Sequence, residues 1–180
     1  MRGILVQMGK TLYLLRHAKS SWDDPALADH DRPLAVRGRR ASSVVAEHLR
    51  SQRIRPTLVL CSSATRARET LDGLSLGLGN ETEVQIDEGL YAASADDLLD
   101  RLRQVEAAVD CVMLIGHDPA IQELALNLAA NGAQLERLRE KFPTAALATL
   151  VFEGSWSELA TGSAGLVAFV KPRELEGSSG

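Results

Sequence analysis

Short apolar runs alternate along this chain with longer segments in which apolar residues recur at helical spacing. The runs TLYLL and CVMLI are apolar at successive positions, which is typical of strands buried on both faces. In segment 36–53 the apolar side chains share one helical face: Val44, Val45, Ala46 and Leu49. This segment is predicted to be a long amphipathic helix.

The same patterns predict the remaining elements. Buried strands are predicted at 11–15, 57–61 and 111–115, an edge strand at 83–86, and two last strands in the later half of 142–152 and at 165–170. Further helices are predicted at 65–76, 94–105, 119–128 and 134–141, with Ser94 as N-cap and Asp97 completing a capping box. This order predicts an α/β fold: a three-layer α/β/α sandwich around a mostly parallel sheet with an antiparallel edge strand.

The length of 180 residues suits a single domain. We place that domain at residues 10–172. Residues 1–9 have no periodicity and are interpreted as a loose N-terminal arm, in which either Met1 or Met8 is the true start. Residues 173–180 end in GSSG and are interpreted as a flexible tail.

Charge and cysteine usage narrow the class of protein. The net charge of -4 argues against a nucleic-acid-binding protein, because such proteins usually carry a basic face. Cys61 and Cys111 each fall in a predicted strand, which favours two free thiols in a reducing compartment over a disulfide. No apolar stretch approaches the roughly 20 residues of a membrane span, and the N-terminus does not resemble a signal peptide. The expected location is the cytoplasm, with no membrane association.

Charged and polar residues follow the predicted buried strands. Arg16 and His17 come after the first strand, Arg66 follows the second within a few residues, and His117 ends the run CVMLIGH. Because the carboxyl ends of parallel strands meet at one edge of a sheet, we expect these side chains to share a crevice. Guanidinium groups bind phosphate oxygens in pairs, and an imidazole can act as a nucleophile. The sequence therefore predicts a phosphate pocket that contains a nucleophile.

The motifs at these strand ends also carry a family resemblance. LYLLRHA, SSATRARET and LIGHDP resemble the three signatures of the histidine phosphatase superfamily, and DHDRPLAVRGRRA with FPTAALA is similar to its SixA-like phosphohistidine phosphatase branch. The likeness extends from residue 11 to 170. It implies that His17 is the nucleophile that becomes phosphorylated, that Arg16, Arg66 and His117 bind the phosphoryl group, and that Arg32 is a further ligand.

The resemblance does not determine which residue, if any, protonates the leaving group, or which substrate is used. Superfamily members that act on esters protonate the departing alkoxide with Glu or Asp, and SixA-like proteins lack the insertion that carries this acid. Glu88 in DEGLY is the local candidate for an acid at the substrate site. A phosphohistidine phosphatase is the preferred function. The alternatives are a phosphomonoesterase for a small phosphorylated molecule and a non-catalytic phosphate-binding module.

Several residues near the motifs have two interpretations. Arg32 is either a phosphate ligand or the partner of Asp29 or Asp31 in a loop ion pair. Trp22 either forms a lip of the crevice or is a partly buried packing residue. His30 lies between two aspartates, but no metal-ligand spacing is present, so we expect a solvated loop, no metal and no cofactor.

Overall fold

A single sheet runs through the part of the chain that the structure describes. The computed structural model describes residues 9–176, and in this range seven strands are joined in one sheet. The strands are β1 (Lys10–Arg16), β2 (Leu58–Ser62), β3 (Glu83–Asp87), β4 (Cys111–Gly116), β5 (Ala129–Asn131), β6 (Leu147–Phe152) and β7 (Ala164–Val170). The α-helices are α1 (Val36–Ser51), α2 (Thr65–Gly73), α3 (Ala95–Arg103), α4 (Ala120–Leu128), α5 (Leu135–Glu140) and α6 (Pro172–Glu176).

The strand order is β3-β2-β4-β1-β6-β7-β5, which confirms a mostly parallel α/β sheet with β3 at one edge. One part of the expectation is wrong, because the antiparallel strand lies inside the sheet. Strand β6 runs against both of its neighbours, β1 and β7. Its position follows from the segment before it, where the Ala145 N–H donates to the carbonyls of Arg16 and His17 at 3.0 and 3.2 Å. The chain therefore enters β6 beside the end of β1 and has to run back along it.

Two apolar layers, one on each face of the sheet, form the core. Leu12 and Leu14 point to one layer, which they share with Leu98 of α3 and Ile121 of α4. Leu15 belongs to the opposite layer, together with apolar side chains of α1 and α2. The alternation of side chains along β1 thus separates the two helical layers, as the predicted sandwich requires.

The predicted capping box at the start of α3 is confirmed. The Ser94 hydroxyl accepts from the Asp97 N–H at 3.2 Å, and the Asp97 carboxylate accepts from the Ser94 N–H at 2.8 Å. Helix α2 is shorter than predicted and ends at Gly73. The strand β5 was not predicted, because it has only three residues and follows α4 directly.

The structure describes part of the predicted C-terminal tail and almost none of the predicted N-terminal arm. Residues 173–176 belong to helix α6, which packs on α1, and Glu176 lies 3.3 Å from Arg40 in an ion pair. A helix in this part was not predicted from the sequence, and the flexibility of the tail stays a prediction. Residues 1–8 of the predicted arm and 177–180 of the tail lie outside the described residues.

Both cysteines are free, as expected. Cys61 is buried in β2, and burial raises the pKa of its thiol to about 12. Burial also raises the pKa of Cys111 in β4 to about 11. Both thiols are therefore protonated at neutral pH. Within residues 9–176, the helices are too short or too polar to cross a bilayer.

Gly38 allows α1 to approach the turn that follows β1. A Cβ atom on Gly38 would lie 2.2 Å from the Lys19 carbonyl oxygen, and a backbone atom cannot rotate away. We expect Gly38→Ala to lower the free energy of unfolding by about 1–3 kcal/mol, as overpacking usually does. Gly79→Ala is the matched control, because its nearest neighbour is the flexible Arg55 side chain at 3.4 Å. Urea unfolding curves measure both variants, and equal stabilities would contradict this account of Gly38.

Candidate active site

The carboxyl ends of β1, β2 and β4 meet at one edge of the sheet, where these three strands are parallel neighbours. Arg16 pairs with Gly116 at the ends of β1 and β4, so the next residues, His17 and His117, leave the sheet side by side. Their ring centroids are 5.0 Å apart. The structure thus brings the two predicted histidines together.

Arg66 lies between these two rings and the loop before α1. Its side chain is buried in the first turn of α2. One edge of the guanidinium faces the histidines: Nε donates to His17 Nε2 at 3.3 Å, and Nη2 lies 3.4 Å from His117 Nδ1. The other edge donates to Asp29, from Nη1 to the carbonyl at 2.6 Å and from Nη2 to the carboxylate at 3.0 Å.

The hydrogen bonds of His17 identify its reactive nitrogen. Nδ1 lies 2.7 Å from the Ala18 carbonyl, which only accepts, so Nδ1 carries the proton and Nε2 carries the lone pair. Burial lowers the pKa of His17 to about 3, and the bond to Ala18 only partly opposes this effect. Positive charge on Arg66 and Arg16 lowers the pKa further. His17 is therefore a neutral imidazole whose Nε2 faces Arg66.

His117 is also held neutral. Burial lowers the pKa of His117 to about 4, with a further decrease caused by Arg66 and an opposing effect of Asp29. Its Nε2 lies 2.7 Å from the hydroxyl of Ser62, the last residue of β2. Two uncharged rings and one buried guanidinium thus form the centre of the site.

Arg16 approaches the same centre from β1. Its Nη1 donates to the Phe142 carbonyl at 2.7 Å and lies 3.6 Å from the Asp118 carboxylate. Burial lowers the pKa of Arg16 and Asp118 raises it. Arg16 is near enough to lower the pKa of both histidines by its charge. Phe142 begins the motif FPTAALA, so this motif positions Arg16 through its backbone.

Arg32 is linked to this centre indirectly. Its side chain is buried and donates to the Ser21 carbonyl at 3.0 Å, the Asp29 carboxylate at 3.0 Å and the Ser20 hydroxyl at 2.8 Å. The expected alternative, an ion pair with Asp29, is therefore present. The Trp22 ring covers the Arg32 guanidinium, with Cζ 3.1 Å from the ring centroid, and is 71% exposed, so Trp22 packs against Arg32 while most of its surface stays exposed.

Asp29 and Tyr91 were missed as site residues. One Asp29 oxygen accepts from Arg32, and the other accepts from both Arg66 and the Tyr91 hydroxyl, the latter at 2.8 Å. The bond from Tyr91, followed by the arginines, lowers the pKa of Asp29. Asp29 precedes Arg32 by three residues in the motif DHDRPL, a spacing that indicates an ion pair with Arg32 but not the contacts with Arg66 and Tyr91. Nothing local in DEGLY indicated that Tyr91 would cross to this loop.

The loop that carries Asp29 and Arg32 is closed at its base. Ser20 and Leu34 form an antiparallel bridge, and the Ser21 N–H donates to the Pro33 carbonyl at 2.8 Å. The Leu34 N–H donates to the Glu69 carboxylate of α2 at 2.6 Å. The two ends of the loop are therefore fixed to each other and to the helix that carries Arg66.

Among the described residues, Glu88 is not hydrogen-bonded to the cluster. Glu88 is exposed at the start of a short 3-10 turn. His30 is half-buried, bonds to the Ser63 hydroxyl at 2.9 Å and packs edge-on against Tyr91 at 4.8 Å. Residues 9–176 contain no group of three or more potential ligands that could hold a metal ion.

Comparison with known proteins decides the family. The sequence model of the histidine phosphatase superfamily (branch 1) matches residues 12–108. The chain belongs to this superfamily. Among curated relatives, an uncharacterized protein of Mycobacterium tuberculosis is 39% identical over 163 residues, which cover 88% of this chain and 100% of that protein.

Solved structures agree with this assignment. A SixA protein of Nakamurella multipartitia, described as a candidate phosphohistidine phosphatase, has a TM-score of 0.81 and 29% identity, covering 91% of this chain and 96% of that chain. A SixA protein of Agrobacterium tumefaciens with the same description has a TM-score of 0.78 and 29% identity, covering 91% and 98%. The chain is a phosphatase of the histidine phosphatase type.

Asp29 should control activity through the orientation of Arg66. Asp29→Ala removes the carboxylate that holds one guanidinium edge, and we expect kcat/KM on an aryl phosphate to fall by about 10- to 100-fold, because small misplacements of charged groups are costly. Asp29→Asn keeps an acceptor oxygen and should lose less. Asp31→Ala is the control, since among the described residues the Asp31 carboxylate bonds to the neighbouring His30 and to none of the arginines. Equal activity of Asp29→Ala and Asp31→Ala would contradict this role.

Proposed function

We propose that this phosphatase removes the phosphoryl group from phosphohistidine in a protein or peptide, by way of a covalent phosphohistidine on His17. The observation that carries the proposal is the neutral, buried His17, whose free Nε2 faces a fixed edge of Arg66 at 3.3 Å. Arg16, Arg66 and His117 would bind the transferred group, with Arg32 at its outer side. We expect the reaction to need no metal ion and to take place in the cytoplasm, where free thiols are usual.

The first half of the reaction transfers the phosphoryl group to the enzyme. The lone pair of His17 Nε2 attacks phosphorus, and the Nε2–P bond forms as the bond from phosphorus to the substrate nitrogen breaks. If the other nitrogen of the substrate ring already carries a proton, that ring leaves as neutral imidazole. The bond from His17 Nδ1 to the Ala18 carbonyl keeps the nucleophilic ring in the required tautomer and orientation.

The second half returns the enzyme to its starting state. Water attacks the phosphorus of phosphorylated His17, the Nε2–P bond breaks, and inorganic phosphate leaves with both protons of the attacking water, one of which then passes to solvent. Because Nδ1 keeps its proton throughout, His17 also leaves as a neutral ring. Both halves therefore proceed without a strong general acid.

Positive charge around the transferred group would supply most of the catalysis. The Nε–H and Nη2–H of Arg66 point along one edge, a geometry that matches two phosphoryl oxygens. Arg16 adds a second guanidinium from the side of β1. These donors are fixed before substrate arrives, which is the arrangement that stabilises developing charge most effectively.

The need of the leaving group for a proton favours phosphohistidine over an alkyl phosphate ester as the substrate. An alkoxide needs a proton as it departs, and the candidate donor, Glu88, is exposed and makes no hydrogen bond to the cluster among the described residues. The similarity to two SixA proteins described as candidate phosphohistidine phosphatases supports the same choice.

The nucleophile can be tested directly. We expect His17→Ala to abolish turnover of a phosphohistidine peptide and to remove the acid-labile phosphate label that the unaltered enzyme acquires in rapid-quench experiments. His48→Ala, in the last turn of α1, is the control histidine and should keep both. The assays should contain a chelator. A label that persists in His17→Ala, or activity that strictly requires a divalent metal ion, would overturn the proposed mechanism.

The substrate class can be tested with Glu88→Gln. If phosphohistidine is the substrate, this variant should hydrolyse phosphohistidine peptides and aryl phosphates nearly as well as the unaltered enzyme, because their leaving groups need little protonation. Steady-state kinetics should include alkyl phosphates such as sugar phosphates, which we expect to be poor substrates of both proteins. A loss of about 100-fold confined to alkyl phosphates would instead identify Glu88 as an acid and favour the small-molecule phosphomonoesterase.

A further inference from the structure

Ser62 contacts the site but takes no part in the steps above. It is fully buried at the end of β2, with its hydroxyl oxygen 2.7 Å from Nε2 of His117. The Ala64 N–H donates to the same oxygen at 3.3 Å, which fixes the oxygen and leaves its proton free to rotate. A hydroxyl can donate or accept, so Ser62 suits either protonation pattern of the ring.

The contacts of His117 determine which nitrogen carries its proton in the resting site. Nδ1 faces Nη2 of Arg66 at 3.4 Å, and a guanidinium only donates. Nδ1 is therefore the acceptor, and the proton of the neutral ring lies on Nε2. From there it is donated to the Ser62 hydroxyl.

When a phosphoryl group lies between the histidines, Nδ1 of His117 has to donate a hydrogen bond instead of accepting one. Phosphoryl oxygens at neutral pH mainly accept, so a contact with Nδ1 needs a proton on that nitrogen. Protonating both nitrogens would place a second cation beside the buried Arg66, a like-charge contact that only the bound anion would offset. The alternative that adds no charge is a neutral ring with its proton on Nδ1 and a donor at Nε2, where the Ser62 hydroxyl lies at 2.7 Å.

We propose that Ser62 is a positioning residue that lets neutral His117 exchange one tautomer for the other when the phosphoryl group binds. In the empty site the Ser62 hydroxyl accepts from Nε2–H, and in the occupied site it rotates and donates to Nε2 while Nδ1–H donates to a phosphoryl oxygen. The Nε2 proton passes to water and Nδ1 takes one from water, so the ring holds one proton in both states. The inference rests on the proposed function.

Nitrogen NMR tests the exchange in the unaltered protein. With 15N-labelled histidine, the chemical shifts of the two ring nitrogens report which one is protonated, and the His117→Ala spectrum assigns the ring. We expect Nε2–H without ligand and Nδ1–H, with a single ring proton, at saturating inorganic phosphate. A ring that keeps Nε2–H, or becomes doubly protonated, would overturn the inference. If phosphate shifts neither His17 nor His117, the proposed function itself fails, so the two failures are distinguishable.

A double-mutant cycle tests whether Ser62 acts through His117. We expect Ser62→Ala to weaken inorganic phosphate binding about tenfold, the size of effect that loss of a hydrogen bond to a buried group commonly produces. Ser62→Thr keeps the hydroxyl and should restore most of the affinity. In a His117→Ala background, Ser62→Ala should have no further effect.

The control for loss of a buried serine hydroxyl is Ser42→Ala. Ser42 is fully buried in α1, and its hydroxyl bonds to the Gly38 carbonyl. It should leave phosphate binding unchanged in both backgrounds. Equal tenfold losses for Ser62→Ala with and without His117 would show a purely structural effect and contradict the inference, whatever the stability of the variants.

Discussion

The buried guanidinium of Arg66 is the constraint on which the site depends. Its plane is fixed from one side by Asp29 and from the other by two imidazoles. A buried cation that already has one carboxylate partner disfavours further positive charge nearby, and this is one reason why both rings stay neutral. The same charge that would attract the phosphoryl group therefore also helps to keep His17, the proposed nucleophile, neutral. Arg66 could not be exchanged for lysine without losing the two-edged geometry.

The sheet places these groups by two different routes. The histidines leave parallel neighbouring strands at the same level, which is the usual way in which an open α/β sheet forms a crevice. Strand β6 runs antiparallel to β1, so its amino-terminal end lies beside the carboxyl end of β1. An antiparallel neighbour inside the sheet thus brings its amino-terminal loop to the edge where its parallel neighbours present their carboxyl ends, and this loop holds Arg16.

Features that depend on neighbouring residues were predicted well from the sequence. Features that depend on contacts between residues far apart in the sequence were not. The buried strands, the capping box of Ser94 and the grouping of His17, Arg66 and His117 follow from local patterns plus one topological rule, and the structure brings these residues together. The place of β6 depends on which strand it pairs with, and an apolar run does not encode its neighbour. The contact between Asp29 and Tyr91 joins residues 62 positions apart in separate loops, so no spacing rule could indicate it.

The closed base of the loop between Ser20 and Leu34 has a consequence for how the enzyme can diversify. Because the base is joined to α2 and Asp29 is joined to Arg66, the exposed residues between Trp22 and Ala28 lie outside the fixed framework. Insertions or deletions there change the rim that an incoming molecule meets first and leave the reacting groups in place. Substrate choice can thus evolve in this segment independently of the chemistry, with one part of a single loop free to vary and the other held constant.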